Sequence, residues 1–337
     1  MKRLKDIVKK FKRARILVIG DLILDEYIWG KVERISPEAP VPVVWANKET
    51  HVPGGAANVA NNISSYGACA SVAGVIGEDK NAGILKGALK KANIDTKGVF
   101  TSLGRCTTVK TRIICGHQQI VRVDWEHTET LPKETIRKIF SFIKRNINNF
   151  DAIIIEDYGK GVINPQLLEG LILLAQTHKK IILVDPKEDH FQYYRGVTSI
   201  TPNRKELENA VRNLKIKDRN NKLNLESDKL FSDSDVEAAG KQILEYLGLD
   251  SLLVTLGEQG IKLFENKGRI TNIPTVAQEV FDVSGAGDTV IATFALSLAV
   301  GASKIEAAHI ANYAAGIVVG KIGTATLTLD ELIGGLG

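Results

Sequence analysis

A three-layer α/β/α sandwich with a mainly parallel sheet and a small β-sheet lid is the fold this sequence predicts, on three observations. Short β-branched and aliphatic runs alternate with helical patterns along most of the chain, as a sheet covered by helices on both faces requires. The runs 15–20 (RILVIG), 152–156 (AIIIE), 181–185 (IILVD), 199–202 and 252–256 (LLVTL) are apolar at successive positions, so both faces of each strand must be buried. Two segments, 22–50 and 105–127, instead show period-2 patterning rich in Thr, Val, Ile and Trp.

The elements follow in order. Residues 2–13 place Leu4, Ile7, Val8 and Phe11 at helical spacing, an amphipathic helix. Helical patterns lie near 56–66, 80–92, 133–147, 165–178, 204–212 and 235–247, and two long apolar helices follow near 286–300 and 304–319. The segments 22–50 and 105–127 bury too little apolar surface to stand alone, and are expected to form antiparallel lid strands on a single domain spanning 1–337. Residues 213–234 are polar and charged and are expected to be an exposed, mobile insertion.

Composition excludes several classes. With 44% hydrophobic and 25% charged residues, the chain is neither disordered nor fibrous. The net charge of +5 is local: residues 1–15 carry +7, so the remainder carries −2. That places a solvated basic face on a docked N-terminal helix and argues against a nucleic-acid surface or a membrane anchor. The apolar charge-free run 289–303 is 15 residues long, short of the roughly 20 needed to span a bilayer. No signal-peptide core follows the basic residues. Three cysteines without metal-type spacing (Cys69, Cys106, Cys115) fit a reducing compartment, so a cytoplasmic protein is expected.

Four motifs carry chemistry. The run 282–289 (DVSGAGDT) leads directly into an apolar helix. Its glycines let consecutive backbone N–H groups converge at a helix N-terminus, an anion hole for a phosphoryl group. Asp288 then stands where it can take the proton of an attacking hydroxyl. The run 53–58 (PGGAAN) opens another helix: Gly54 and Gly55 admit a ligand to the main chain, and Asn58 offers a donor and an acceptor to a sugar hydroxyl. Asp21 ends the first strand and Asp25 follows four residues later. Carboxylates there suit sugar hydroxyls, with a lid salt bridge the competing role for Asp25. Finally 201–206 (TPNRKE) follows a strand and opens a helix. Asn203 and Glu206 have the spacing of a capping box, and alternatively face nucleotide phosphates and hydrated magnesium. The nearest approach to a P-loop, 316–321 (GIVVGK), is one residue short, no dinucleotide fingerprint follows the first strand, and the six His form no zinc pattern.

Taken together, these motifs resemble the ribokinase-like (PfkB) carbohydrate kinases over essentially the whole chain. Within that family the resemblance is strongest to kinases of heptose 7-phosphate, carried by 34–43 (RISPEAPVPV), 53–58, Gln118-Gln119 with Arg122 and Asp124, 157–161 (DYGKG), 185–187 (DPK), 201–203, 258–260 (EQG), and 278–280 leading into 282–288. The resemblance implies ATP-dependent phosphorylation of a sugar hydroxyl, here the anomeric 1-hydroxyl, in ADP-heptose synthesis. It implies Asp288 as base, with Gly285, Ala286 and Gly287 as the anion hole. Asn203 and Glu206 match the family's position near phosphates and Mg2+, and Asp282 with Ser284 the position of an activating monovalent cation such as K+. Thr255, Gly257 and Gly260 match a nucleotide-contacting turn, and Asn312 the adenine pocket. Asp21, Gly54, Gly55 and Asn58 match sugar contacts.

A substrate already phosphorylated needs cations at its far end. Lys110, Arg112, Arg122, Lys160 and Lys187 are the candidates, with Arg122 and Lys160 preferred. Three features depart from the family pattern: Ser284 replaces the more usual Thr, the 213–234 segment is long, and the pattern ends where some relatives carry a nucleotidyltransferase domain. Adenylylation of the product is then expected of another protein. The competing functions are a kinase for another sugar and a non-catalytic sugar or nucleotide sensor. By analogy, a homodimer is expected to pair through the lid.

Overall fold

The computed structural model describes residues 1–116, 118–217, 229–277, 279–321 and 323–336. The chain opens with α1 (Lys2–Val8), a 3-10 turn (Phe11–Arg13) and β1 (Arg15–Gly20). Two long lid strands follow, β2 (Leu22–Ile35) and β3 (Pro42–Gly55), then α2 (Ala56–Ser65), β4 (Cys69–Ile76), α3 (Lys80–Lys91) and β5 (Asp95–Thr101). The lid is completed by β6 (Thr108–Cys115) and β7 (Gln118–Trp125). Next come α4 (Lys133–Asn146), β8 (Ala152–Glu156), α5 (Pro165–Thr177), β9 (Ile181–Asp185), β10 (Ser199–Ile200), α6 (Arg204–Lys217) and α7 (Asp233–Leu247). The C-terminal part is β11 (Ser251–Thr255), β12 (Ile261–Glu265), β13 (Ile270–Ile273), α8 (Ala286–Ala299), α9 (Lys304–Val318) and α10 (Leu329–Gly335).

One nine-stranded sheet runs β13-β12-β11-β10-β9-β8-β1-β4-β5, parallel except for the antiparallel β11-β12-β13 edge. Alternate residues of β1 feed two separate cores. Ile16 and Val18 pack with α1, α2, α3, α8, α9 and α10, while Leu17 and Ile19 pack with α4, α5, α6 and α7. That split is the period-2 geometry of a strand buried on both faces. The parallel strands end together at Gly20, Glu156, Asp185 and Thr255, which places a ligand crevice at that edge. Gly20 has to be glycine, because a Cβ there would lie 2.0 Å from the Glu156 carbonyl oxygen.

The lid is a four-stranded sheet, β3-β2-β6-β7. It is not wholly antiparallel as expected, since β2 and β6 run parallel. The N-terminal helix also departs from 2–13. It stops at Val8 and tightens into i→i+3 bonds (Lys10 N–H to Ile7 O, Arg13 N–H to Lys10 O) that turn Phe11 into the core. The strand expected at 199–202 covers only two residues, because Pro202 has no N–H to continue the ladder. The expected exposed insertion needs correction at both ends. Residues 213–217 continue α6, and Leu214 and Leu230 are buried. The middle of that segment, 218–228, lies outside the described residues. Strands β4, β5, β12 and β13 and helix α10 carried no strong signal; Ala70, Ala73 and Gly74 in β4, for example, are weak strand formers.

Because Ile7, Val8 and Phe11 are buried against the helical layer, the basic N-terminus is part of the domain. Phe11→Ala is expected to destabilise the fold by about 3–5 kcal/mol, measured by urea unfolding. A loss below about 1 kcal/mol, the scale of surface substitutions, contradicts that docking.

Candidate active site

The site begins at the turn before α8. Gly285 adopts φ 78° and caps the helix, a left-handed conformation that glycine takes at no steric cost. A side chain there would also press on Asn58 Nδ2 at 2.9 Å. The turn brings Asp288 into the first turn of α8 with only 4% of its surface exposed. Asn58, on α2, donates to Asp288 Oδ2 at 2.5 Å, and the Tyr158 hydroxyl also hydrogen-bonds this carboxylate. The two helices are clasped one turn further along: Asn62 Nδ2 donates to the Asn58 carbonyl at 3.0 Å, and the Thr289 hydroxyl donates to Asn62 Oδ1 at 3.0 Å. Asn58 is therefore a fixed donor. Burial raises Asp288 to about 7, against the lowering effect of the Asn58 and Tyr158 hydrogen bonds.

Three carboxylates meet here. Oxygens of Glu156, Asp185 and Asp288 lie within 4.8 Å of one another. Glu156 and Asp185 pair in register at the ends of β8 and β9, and both are pushed well above the usual carboxylate range by burial. Glu156 Oε2 is buried with no hydrogen-bond partner among the described residues. Glu206 is raised by burial as well, and its charge is felt at Glu156 and Asp185. It also forms the reciprocal cap with Asn203 expected from their spacing: Asn203 N–H to Glu206 Oε2 at 2.8 Å, and Glu206 N–H to Asn203 Oδ1 at 2.9 Å. One residue thus caps α6 and faces the acidic group.

Beside the turn lies a cleft of about 540 Å³. Thr255, Gly257, Gly260 and Asn312 line it with Ala286 and Gly287, so the expected nucleotide positions converge next to the glycine turn. Val280, Val283, Val290 and Val319 supply apolar walls. Asn312 is held by donating to the Pro274 carbonyl at 2.8 Å. Asp282 accepts amides from Ser284 at 2.9 Å and Gly323 at 3.1 Å, which shapes the turn.

Other expected residues have different occupations. Asp21 is buried and accepts the amides of Tyr158, Lys160 and Val162, so it shapes the 157–162 loop. Asp25 is salt-bridged to Arg112, the competing role weighed for it, and lies against Gly54. Gly55 ends β3 at φ 53° and caps α2. Arg122 sits on the exposed strand β7 in a two-point pair with Asp124. Lys160 Nζ donates to Glu126 at 2.7 Å. Three residues at the centre, Glu156, Tyr158 and Asp185, were not singled out from sequence as site residues. The signal for Glu156 and Asp185 was an acid ending each of two apolar runs, where an α/β sheet holds its ligand.

The family profile described as "pfkB family carbohydrate kinase" matches residues 13–331. The chain belongs to this family. The bifunctional protein HldE of Desulfatibacillum aliphaticivorans is 44% identical over 325 residues, covering 96% of this chain and 63% of that protein. The HldE of Helicobacter pylori (strain HPAG1) is 46% identical over 318 residues, 94% of this chain and 65% of that protein. This pfkB-family chain thus spans a little under two thirds of the length of these curated relatives. The fold is that of the ribokinase of Arabidopsis thaliana complexed with ribose and ATP (TM-score 0.72, 17% identity, 96% of this chain and 98% of that one). It is likewise that of phosphofructokinase-2 from Escherichia coli in complex with potassium (TM-score 0.74, 19% identity, 95% and 97%). No helix among the described residues is long and apolar enough to cross a membrane.

The raised Asp288 carboxyl has a thermodynamic consequence. Between about pH 4 and about pH 7 the folded protein keeps a proton that the unfolded chain has released. Stability from this group therefore falls as pH rises through that window. Asp288→Asn removes the fall, and the ligand-free variant is expected to gain on the order of a few kcal/mol relative to wild type between pH 5 and pH 8. Urea midpoints across that range measure it. A difference that does not change with pH contradicts the assignment.

Proposed function

We propose that this chain is an ATP-dependent kinase that transfers the γ-phosphoryl group to the anomeric 1-hydroxyl of D-glycero-β-D-manno-heptose 7-phosphate. The product is the 1,7-bisphosphate, an intermediate on the way to ADP-heptose. The observation that carries the reading is the placement of Asp288. It is a buried carboxylate raised to about 7, at the head of α8, beside the amides of Gly285–Gly287 and the mouth of the nucleotide-sized cleft. The heptose assignment is supported by the run 34–43 and by the identity to the bifunctional HldE proteins across nearly the whole chain. ATP as donor is supported by the structural relative complexed with ribose and ATP.

The chain's own residues perform most of the step. Asp288 takes the proton of the anomeric hydroxyl as that oxygen attacks, with Asn58 and Tyr158 holding the carboxylate in place. The turn amides and the positive end of α8 face the transferred phosphoryl group, where charge must be neutralised. Positioning and electrostatics carry most phosphoryl-transfer catalysis. The all-carboxylate set with an orphaned Glu156 Oε2 fits a hard divalent cation such as Mg2+. Glu156 and Asp185 would hold it, with Glu206 acting through water as expected from the sequence, and when bound it supplies neutralising charge to the phosphates. A monovalent cation such as K+ would find Asp282 beside the turn, its carboxylate already accepting the amides of Ser284 and Gly323. ATP as donor and three free cysteines support a cytoplasmic location. The open edges of β3 and β7 support a homodimer paired through the lid.

Asp288→Asn is expected to lower kcat for heptose 7-phosphate by on the order of 10²–10⁴ while ATP binding by calorimetry is retained. Near-normal turnover in that variant overturns the assignment. In the wild type, kcat is expected to rise with pH through about 7 as the carboxylate loses its proton. A rate that stays flat between pH 5.5 and pH 8.5 argues against Asp288 as the base.

A further inference from the structure

One face of the lid carries an unequal set of charges. In the register, Lys110 on β6 lies between Asp25 on β2 and Asp124 on β7, while Arg112 lies between Tyr27 and Arg122. Paired residues on neighbouring strands share a face, so three cations and two carboxylates stand together. Both carboxylates are claimed by arginines: Asp25 by Arg112, and Asp124 by both nitrogens of the Arg122 fork. Lys110 is left over. Its ammonium lies 5.1 Å from the centre of the Tyr158 ring, the same tyrosine whose hydroxyl reaches Asp288.

The other candidate cations are engaged. Lys160 is ion-paired to Glu126 at 2.7 Å and Lys187 to Glu188 at 3.3 Å. Arg105 donates to the backbone carbonyls of His127, Glu129 and Lys160. Lys110 is thus a half-buried ammonium resting on an aromatic face, close enough to Asp288 for its charge to be felt there. Burial weakens its charged form while Asp124 and Asp25 favour it, and both of those carboxylates are hydrogen-bonded to arginines. Its charged neighbours on this face of the lid are Asp25, Asp124, Arg112 and Arg122, with each carboxylate already paired to an arginine.

Resting on the kinase reading above, we infer that Lys110 is the specificity determinant that grips the phosphate of a phosphorylated acceptor sugar, leaving the sugar's far hydroxyl at Asp288. An ammonium brings three N–H donors and a positive charge. It leaves the Tyr158 ring for a dianionic phosphate, bringing a charge that no carboxylate among the described residues pairs with, whereas the charges of Arg112 and Arg122 are already balanced by Asp25 and Asp124. A free sugar has no group to exchange for the ring contact.

The test compares kcat/KM for heptose 7-phosphate and for the unphosphorylated heptose, using the full chain and the variants K110M, K110Q and K110R. The wild type is expected to prefer the phosphate ester. In K110M and K110Q, kcat/KM for the ester should fall about 30-fold further than the value for free heptose, with that excess in KM, any loss common to both acceptors reporting the Lys110 charge at Asp288; K110R should restore most of the excess. An equal loss on both acceptors, a loss confined to kcat, or no loss overturns the inference. If K110M fails to fold, K110Q is read by the same criteria. If the wild type does not use heptose 7-phosphate, the substrate in the kinase reading fails, and the same ratio is taken for hexose 6-phosphates against their parent hexoses. A ratio that collapses in K110Q then upholds Lys110, and a ratio unchanged by the substitution, or a wild type that prefers free sugars, overturns it.

Discussion

Gathering carboxylates in a dry place is the constraint on which the rest of this molecule depends. Glu156, Asp185 and Asp288 are brought to one point because two parallel strands end side by side and the first turn of α8 is aimed at them. Burial alone would drive each to hold its proton. Three features offset that cost at Asp288: the Asn58 and Tyr158 hydrogen bonds, the helix N-terminus, and the charge of nearby Lys110. A site in that condition is poised to accept positive charge or to take a proton. Those are the two demands of moving a phosphoryl group onto a hydroxyl.

The lid answers the opposite demand. Its sheet projects from the strand ends and carries cations over the acidic floor, and most of them are tied to partners that fix the lid's own shape. Arg112 binds Asp25, which lies against the Gly54 turn, and Lys160 binds Glu126 just beyond the end of β7. The loop at 157–162 is held beneath by Asp21, whose carboxylate accepts three amides. Asp21 and Asp25 therefore support the site through the backbone and the lid.

Much of this was legible in the sequence, for physical reasons that differ by element. The parallel strands were visible because burial on both faces demands unbroken apolar runs, and Asp288 was visible because a glycine turn before an apolar helix has few uses. Asn58 was visible in the glycine pair that opens its helix, whereas the cleft residues Thr255, Gly257, Gly260 and Asn312 were named only through the resemblance to the family. The β12-β13 hairpin and β4 were not visible, since short or alanine-rich strands lack a period that stands out. Pairing was the least legible feature. Nothing local in the chain says that Arg112 closes on Asp25, that Lys160 closes on Glu126, or that Glu156 meets Asp185 across the sheet. Which charges remain free is a property of the tertiary structure.

The most direct test is a crystal structure of the chain with heptose 7-phosphate and a non-hydrolysable ATP analogue. The account predicts the sugar's anomeric oxygen within hydrogen-bond reach of the Asp288 carboxylate, and the terminal phosphate of the analogue on the amides of Gly285–Gly287. An anomeric oxygen remote from Asp288, or a nucleotide bound away from the glycine turn, would contradict it.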